Sequence, residues 1–284
     1  MNIVIVDKKE ARVTTNNETL VVDGQKIPFR LIDTLLIMGT ATLSTKDVMK
    51  LTSHKITVLL LSSNYKESAI ITATIGKSAE LKRKQFQAAP LPIAKGILRK
   101  KIESHIRHLA THDIKVDSTP YQSAISQAED LETLLGVEGS FSKLYFGHYF
   151  SFFPKILHKG KRSKRPPLDP LNAMMSMYYT IFYNIIAIRL LAYGFETGIG
   201  FLHKPFRSHH ALASDVLELF RADINAFVYE IFSKKMLVQS DFTRKGGVYL
   251  KYEGRKKTWV AFREFLQSQE PRIDEAIAEI RAML

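Results

Sequence analysis

The sequence predicts an α+β fold in which a small β-rich N-terminal domain is followed by a larger all-α C-terminal domain. Two observations support this division. Short β-branched and apolar runs separated by turn signals occupy about the first 76 residues, and helical spacing with few breakers begins near Ala79. The segment Gly76-Lys77-Ser78 marks the change in composition. We therefore predict domains at residues 1–76 and 77–284, since a chain of 284 residues is long enough for two modest domains.

Six strands and one helix are predicted in the N-terminal domain. The pairs Asn16-Asn17, Asp23-Gly24 and Ser63-Asn64 are turn signals between strands. Ser44 followed by Asp47 resembles a capping box with Asp in place of Glu, and it opens a helix over TKDVMKLTSH. The predicted strands are NIVIV, EARVTT, ETLVVD, DTLLIM, ITVLLL and AIITATI.

The C-terminal domain is predicted to begin with two basic helices, SAELKRKQFQAA and IAKGILRKKIESHIRHLAT. On the second helix, Ile97, Lys101 and His105 share one side at a spacing of four residues. Charged helix faces are usually solvated, so we expect this side to face solvent. One or two helices hinged at Gly136 come next. The segment HKGKRSKRPPLDP is predicted to be a loop, because its glycine and prolines cannot all lie inside a helix.

Two more long helical segments are predicted at about 170–193 and 209–233, followed by a small hairpin in GGVYLKYEGRKKTWV and a terminal helix. The first segment contains NAMMSMYYTIFYNIIAIRLLAYG, which is nearly apolar enough for a membrane span. Asn172, Asn184 and Arg189 interrupt this segment. We therefore predict a buried core helix, with no membrane association.

The charge of the chain points to a polyanionic partner. It carries 41 Lys and Arg against 28 Asp and Glu, with a net charge of +13, which favours nucleic acid ahead of a membrane surface. A basic soluble protein without such a partner is the alternative on charge alone. The chain has no cysteine, which excludes disulfides and thiolate metal sites and fits the cytoplasm. The segment MNIVIVDKKEARV lacks the features of a signal peptide.

The main candidate site lies in GFLHKPFRSHHALASDVLELF, which concentrates histidines and acids in a basic chain. On a helix through residues 212–220, Asp215 and Glu218 lie one turn apart, and His203 precedes that helix by the length of a loop. A third acid, Glu138, stands between two glycines in LLGVEGS, where small residues permit close backbone approach. One imidazole and two carboxylates form an oxygen-rich ligand set suited to Mg²⁺ or Mn²⁺.

Acidic pairs at this spacing are also common on helix surfaces, so the residues alone leave the metal site and the plain polar face both open. No nucleophile elbow, P-loop or dinucleotide fingerprint occurs in the chain. Their absence favours metal chemistry on a phosphodiester over the other enzyme classes.

Four stretches resemble the CRISPR-associated endonuclease/integrase of the adaptation (spacer acquisition) complex, the "Cas one" family. Together with the order of a β domain and a helical domain, they carry the resemblance over nearly the whole chain. One departure is Ala222, which stands where the family often has Pro after the Phe-Arg of LELFR. The four stretches are LIMGTATLSTKDVMKLTSHKITVLLL, LLGVEGSFSKLYF, RPPLDPLNAMMSMYYTIFY and GIGFLHKPFRSHHALASDVLELFRADI.

The resemblance implies a metal-dependent DNA endonuclease and integrase, with the helical domain catalytic, that joins 3′-hydroxyl ends of captured DNA to a CRISPR repeat array. It implies metal ligands at Glu138, His203 and Glu218, which form the catalytic set together with Asp215. Asp215 matches a second acidic position of the same helix, so it is implied to bind the metal or to orient a ligand. Asn172, in DPLNA, is implied to be structural or to support the ligands.

The resemblance also gives the basic segments a role in binding DNA. A loop between the Glu138 helix and the Asn172 helix is expected to clamp phosphates beside the metal, and a second group is expected to extend that track across a dimer. The implied partners are double-stranded and branched DNA, a second copy of the chain in a homodimer, and a small ferredoxin-like CRISPR-associated protein. The loop residues are Lys155, Lys159, Lys161, Arg162, Lys164 and Arg165, and the second group is Lys82, Arg83, Lys84, Arg99, Lys100 and Lys101.

Two alternatives remain from the sequence. The first is a non-enzymatic basic DNA-binding scaffold without a metal, against which only the joint presence of His203 and the three acids argues. The second is a metal-dependent nuclease of transposon or repair type built on the same fold. A repeat array or terminal inverted repeats near the gene would separate this second alternative from a role in spacer acquisition.

Overall fold

The computed structural model describes residues 2–205 and 209–284. It has a β region at the N-terminal end followed by a mainly helical part, so the mixed α+β class is confirmed. The last N-terminal strand ends at Ile71 and the next helix begins at Ala79. The predicted division at residues 76 and 77 lies in this connecting segment and stays a prediction.

The N-terminal region contains two four-stranded sheets. In the first sheet, of order β1-β5-β7-β8, the first three strands are parallel and β8 is antiparallel. In the second, of order β4-β3-β2-β6, the pair β2-β6 is parallel and the other pairs are antiparallel. The strands are β1 (Ile3–Asp7), β2 (Ala11–Asn16), β3 (Thr19–Val22), β4 (Gln25–Pro28), β5 (Thr34–Met38), β6 (Ala41–Leu43), β7 (Thr57–Leu61) and β8 (Ser68–Ile71).

The two faces of the first sheet belong to different cores. Leu36 and Leu59 join the large core formed with the helices, whereas Leu35 and Val58 join a smaller core shared with the second sheet. This alternation follows from the two-residue period of a strand. All six predicted strands are present, and β4 and β6 are two short strands that the sequence pattern did not predict. The predicted helix is α1 (Thr45–Ser53), whose first turn Ser44 caps by accepting from the Asp47 backbone N–H.

Eight more helices are described in the C-terminal part, and they form the larger core. The longest apolar helix, α6, is buried along most of its length, so it is the predicted core helix and not a span exposed to lipid. The helices are α2 (Ala79–Gln87), α3 (Pro90–Ala110), α4 (Thr119–Gln127), α5 (Leu131–Ser151), α6 (Pro170–Ala192), α7 (Ala211–Glu218), α8 (Arg221–Ser233) and α9 (Tyr252–Ala282).

Three expectations about these helices were wrong. Helix α5 is continuous through Gly136, and the break lies before it, where Asp130 caps the new helix by accepting from Thr133 N. The segment expected as one helix at 209–233 is two helices, α7 and α8, with Phe220 at the junction. The predicted hairpin exists but lies earlier, as β9 (Phe242–Arg244) and β10 (Val248–Leu250), so the C-terminal part is not all-α.

A buried ion pair connects the two ends of the chain. Arg255, in the first turn of α9, donates from Nε and Nη2 to the two carboxylate oxygens of Asp7 in β1, at 2.7 Å each. The indole Nε1 of Trp259 donates to Asp7 Oδ2 at 3.1 Å. Since both side chains of the pair are largely buried, this contact holds the C-terminal helix to the first sheet.

Candidate metal and nucleic-acid site

A pocket with a volume of about 660 Å³ lies among α3, α5, α6, α7 and the loop that precedes α6. It brings Glu138 together with His203 and Glu218, which lie far from it along the chain. Cationic side chains outnumber these acids around the pocket. The charged and imidazole-bearing lining residues are Lys101, His105, Glu138, Lys143, Lys161, Arg162, Lys164, His203, Glu218 and Arg221.

Glu138 and Glu218 converge on one buried amine. The Nζ of Lys101, whose side chain is 3% exposed, contacts Glu138 Oε1 and lies 2.6 Å from Glu218 Oε2. Glu138 also accepts a hydrogen bond from the Ser142 hydroxyl at 2.7 Å, one turn further along α5. Two helices therefore present their carboxylates to a single cation, and a third helix, α3, supplies that cation.

The charge around the carboxylates keeps both ionised. Burial raises the pKa of Glu218, but the nearby cations Arg221 and Lys101 more than offset this effect, so its pKa lies well below the usual range. Arg221 acts through its Nε, which donates to Glu218 Oε1 at 2.7 Å. For Glu138, burial likewise raises the pKa, but Lys101 lowers it by more, so the pKa lies below its ordinary value.

Asp215 fixes the position of His203. Its Oδ1 accepts hydrogen bonds from the backbone N–H of His203 at 2.9 Å and from His203 Nδ1 at 2.8 Å. Its Oδ2 accepts from the backbone N–H groups of Phe201 and Leu202. Because a carboxylate can only accept, the proton of neutral His203 lies on Nδ1. The other nitrogen, Nε2, is left with its lone pair, 3.8 Å from Glu218 Oε1.

Close backbone approach makes this arrangement possible. A Cβ at Gly200 would come within 2.9 Å of the Asp215 carboxylate and of the backbone of Ala211. Only glycine therefore lets the loop before His203 lie against α7. Asp215 is fully buried and saturated by this loop, which makes it a residue that orients His203. Part of the sequence stretch that suggested the site, residues 206–208, lies outside the described residues.

The carboxylates and imidazole of the pocket form a donor set of the kind that binds a divalent ion. Glu218 Oε2 is buried, and its described partner is the ammonium of Lys101, whose Nζ lies 2.6 Å away. This oxygen therefore already pairs with a cation. Two carboxylates and one imidazole lone pair are ligands that Mg²⁺ and Mn²⁺ accept, so the residues fit such an ion. Within residues 2–205 and 209–284, no three acids or imidazoles stand close enough together to share an ion as they are placed.

The basic loop divides into a part that lines the pocket and a part that does not. Lys161, Arg162 and Lys164 line it, whereas the structure does not place Lys155, Lys159 and Arg165 among the described lining residues. The side chains of this second group are exposed. Of the loop residues expected to clamp phosphates, those at 161–164 are therefore the ones that lie in the same pocket as the acids.

Asn172 anchors the pocket part of the loop. Its amide oxygen accepts from the Ser163 backbone N–H at 3.0 Å and from Arg162 Nη1 at 2.9 Å, and its amide nitrogen donates to the Lys161 carbonyl at 2.9 Å. Asp169, which caps α6, accepts from both the backbone and the side chain of Asn172. Asn172 thus has a structural place in the loop, with no contact to the three candidate ligands among the described residues.

The second basic group is dispersed. Lys82 pairs with Glu196 at 3.5 Å, Lys84 with Glu80 at 3.7 Å, and Lys100 with Glu279. Arg99 donates to Ser126 at 3.0 Å, and Arg83 is exposed. Lys101 does not belong to a surface track.

The expectation that the side of α3 formed by Ile97, Lys101 and His105 is solvated was wrong, because all three residues are buried at 3% exposure. The spacing of four residues from Ile97 was the signal that could have placed Lys101 inward. Arg221, three residues after Glu218, was also missed. Its spacing on a helix was the available signal, but the chain turns between α7 and α8 at that point.

A buried hydrogen-bond chain runs from the pocket into the core. Tyr179, which lines the pocket beneath Arg221, donates to Asn225 Oδ1 at 2.6 Å. The amide nitrogen of Asn225 donates to Tyr145 at 3.0 Å, and Tyr145 OH lies 2.7 Å from His108 Nδ1. Burial is the main cause that lowers the pKa of His108 to about 4, so this imidazole is neutral at physiological pH.

Comparison with known proteins identifies similar chains over nearly the full length. The family described as "CRISPR associated protein Cas1" matches residues 4–264. A curated relative from Thermodesulfovibrio yellowstonii, named CRISPR-associated endonuclease Cas1 1, is 34% identical over 294 residues, which cover 95% of this chain and 92% of the relative.

Solved structures share the fold at lower identity. A CAS1 protein from Thermotoga maritima has a TM-score of 0.88 at 18% identity, with 100% of this chain and 96% of that chain covered. A casposase bound to integration product has a TM-score of 0.85 at 21% identity, with 94% and 83% covered. A chain of a Cas6-RT-Cas1–Cas2 complex has a TM-score of 0.76 at 24% identity, with 95% and 32% covered.

Proposed function

This chain belongs to the Cas1 family of CRISPR-associated proteins, and on that premise we propose that it is a metal-dependent DNA endonuclease and integrase. It inserts captured DNA fragments into a CRISPR repeat array by attack of a 3′-hydroxyl on a phosphodiester. The endonuclease name of the curated relative supports the reaction class. The integration product bound by the structurally similar casposase concerns that protein, and it supports strand joining as the reaction to test.

The observation that carries the proposal is the convergence of Glu138, His203 and Glu218 in a pocket lined with Lys and Arg. Acids inside a basic pocket suit a cation bound between them and a polyanion bound around them. A scaffold that only held DNA would gain nothing from two carboxylates in the pocket, because they repel phosphate.

Glu138, His203 and Glu218 would hold Mg²⁺ or Mn²⁺, with Asp215 orienting His203 through Nδ1. When bound, such an ion would polarise the scissile phosphate and stabilise negative charge on its oxygens. The chain's own residues supply the rest of the site. Arg221 and the pocket lysines attract and position phosphates, and the anchored loop at 161–164 holds those charges at a fixed distance from the acids.

The proposed partners follow from the family and from the charge of the pocket. We propose that the protein binds double-stranded and branched DNA, acts as a homodimer in the cytoplasm, and works with a small ferredoxin-like CRISPR-associated protein. The Cas1–Cas2 complex among the similar structures supports a Cas partner of this kind. The basic groups away from the pocket would then contact DNA that extends beyond one protomer.

The proposal is tested by nicking and strand joining on a branched DNA substrate, with Mg²⁺, with Mn²⁺ and with EDTA. His203→Ala removes a ligand whose side chain is 32% exposed, so its fold should be retained. We expect metal-dependent products from the wild type and at least a hundredfold loss in His203→Ala, with DNA binding unchanged. His148→Ala is the matched control, because His148 lies on α5 like Glu138 but is not among the described residues that line the pocket.

Two outcomes would overturn the enzyme proposal. Wild-type protein that binds DNA but yields no product with either metal, even with the partner protein added, would indicate a scaffold. Equal activity of His203→Ala and the wild type would show that the chemistry occurs elsewhere on the chain.

A further inference from the structure

Lys101 holds an unusual place in the proposed metal site. It projects from the middle of α3 and is 3% exposed, yet its ammonium reaches both Glu138 and Glu218. A buried lysine is stable as a cation only when it is paired. The two glutamates have the same need, because two carboxylates brought together in a low-dielectric environment repel each other. Lys101 thus balances the acids before any ligand is bound.

The oxygens that contact Lys101 are also those that would bind a divalent ion. Lys101 Nζ contacts Glu138 Oε1 and Glu218 Oε2, while Glu218 Oε1 accepts from Arg221. Within the described part of the chain, Glu218 Oε2 has no partner besides this ammonium. An ammonium and a metal ion cannot use the same oxygens at full strength, since like charges at contact distance repel.

The lysine has room to move. It is itself one of the residues that line the pocket of about 660 Å³. Its four-carbon stem is flexible and its ammonium makes non-directional ion pairs, so it can change partners without a change in the backbone. Arg221, by contrast, is fixed by a hydrogen bond to Glu218 at 2.7 Å and by the Tyr179 ring, whose centroid is 4.6 Å away.

We propose that Lys101 is a positioning residue that holds Glu138 and Glu218 together until a divalent ion displaces its ammonium from their oxygens. The inference rests on the proposed metal site. It makes Lys101 a determinant of metal affinity: the lysine preorganises the ligands but competes with the ion for them. Binding of metal then releases one positive charge into a pocket that faces phosphate.

The test compares Mn²⁺ binding and thermal stability in the absence of DNA, so no readout depends on activity. Lys101→Met keeps the length of the side chain and removes the charge. We expect it to bind Mn²⁺ at least tenfold more tightly than the wild type. The measurement is the loss of the free Mn²⁺ signal in electron paramagnetic resonance. The melting temperature of the variant in EDTA should fall, and saturating Mn²⁺ should raise it more than in the wild type.

Two further variants distinguish displacement of the Lys101 ammonium by the ion from a general effect of positive charge on metal affinity. Lys101→Arg keeps a cation against the carboxylates, so it should bind Mn²⁺ no more tightly than the wild type. Lys143→Met removes a charge from the exposed side of the same pocket, and its affinity for Mn²⁺ should be unchanged within about twofold.

The outcomes distinguish failure of the inference from failure of the proposed function. If the wild type binds Mn²⁺ and Lys101→Met binds it equally or more weakly, Lys101 is a permanent structural cation and the inference is wrong. If no protein in the series binds a divalent ion, the metal site itself is wrong. If Lys101→Met does not fold, amine labelling of the wild type read by mass spectrometry decides: Mn²⁺ should increase labelling at Lys101 but not at Lys143, and equal labelling would reject exchange.

Discussion

Asp215 Oδ1 accepts two hydrogen bonds from His203, one from its backbone N–H at 2.9 Å and one from its imidazole Nδ1 at 2.8 Å. The same carboxylate accepts from the two residues before His203. One buried acid on α7 therefore sets both the path of the loop and the direction of the ring. This relationship distinguishes the two acids on α7, because hydrogen bonds from the loop occupy both oxygens of Asp215, whereas the described partners of Glu218 are the cations Arg221 and Lys101.

Asp215→Asn should disrupt this arrangement despite its similar size. An amide presents an N–H₂ group to backbone N–H donors, so at least one buried donor loses its partner. We expect the free energy of unfolding, measured by urea denaturation, to fall by about 2–4 kcal/mol. The affinity for Mn²⁺, measured by titration, should fall about 10–100-fold. Asp274→Asn, which alters a partly exposed pair with Arg189, should leave both nearly unchanged. Metal binding at wild-type strength in Asp215→Asn would contradict the orienting role.

The burial of His108 should make the stability of the folded protein depend on pH. The pKa of His108 is about 4 in the folded protein, mainly because of burial, against an ordinary value of 6.5. The unfolded chain therefore binds the proton more strongly, and stability falls as pH drops from about 6.5 towards 4. His108→Gln removes this group and retains a polar partner for Tyr145. The loss of unfolding free energy between pH 7 and pH 4.5 should shrink by about 2 kcal/mol.

Urea denaturation at the two pH values measures this difference. The control is His54→Gln, which removes an exposed imidazole and should preserve the wild-type dependence on pH. An identical pH dependence in His108→Gln and the wild type would show that the buried imidazole does not contribute.

The structure explains why the sequence predicted the strands better than the site. The six predicted strands depended on local patterns of β-branched residues and turn signals, and local patterns are what a sequence displays directly. The missed strands β4 and β6 are only four and three residues long. They form because neighbouring strands supply hydrogen bonds, which depends on tertiary contacts.

The sequence pattern singled out the candidate residues, and the family resemblance assigned their roles, since spacing alone left Asp215 and Glu218 equivalent. Their difference arises from a loop that folds back over α7 and from Gly200, whose missing side chain permits that contact. Lys101 shows the opposite failure. A lysine in a run of basic residues is usually solvated, and only the carboxylates of two other helices make its burial favourable. Such compensation between distant residues leaves no local signal.

The lysines of the basic loop that line the pocket should contribute more to DNA binding than those that do not. Lys161→Glu/Lys164→Glu reverses two charges that line the pocket, whereas Lys155→Glu/Lys159→Glu reverses two exposed charges of the same segment outside the described lining. We expect the pocket pair to weaken DNA binding for all sequences and to reduce the salt slope by about 2. The other pair should have a smaller effect. Equal slopes for the wild type and the pocket pair, by fluorescence anisotropy from 50 to 300 mM salt (roughly the range in which phosphate contacts dominate), would reject the clamp.

Asp7→Asn should weaken the attachment of α9 to the first sheet without altering the site. It removes the charge that Arg255 pairs with in a buried place, which should cost about 3–5 kcal/mol of unfolding free energy. The chain has one tryptophan, and Trp259 donates to Asp7, so its fluorescence emission should shift at temperatures where the fold persists. Asp23→Asn, in an exposed pair with Lys8, should change neither property. Because Asp7 lies outside the pocket lining described, DNA cleavage by Asp7→Asn should match the wild type below its melting temperature, and a selective loss of cleavage there would mean that the attachment of α9 also shapes the site.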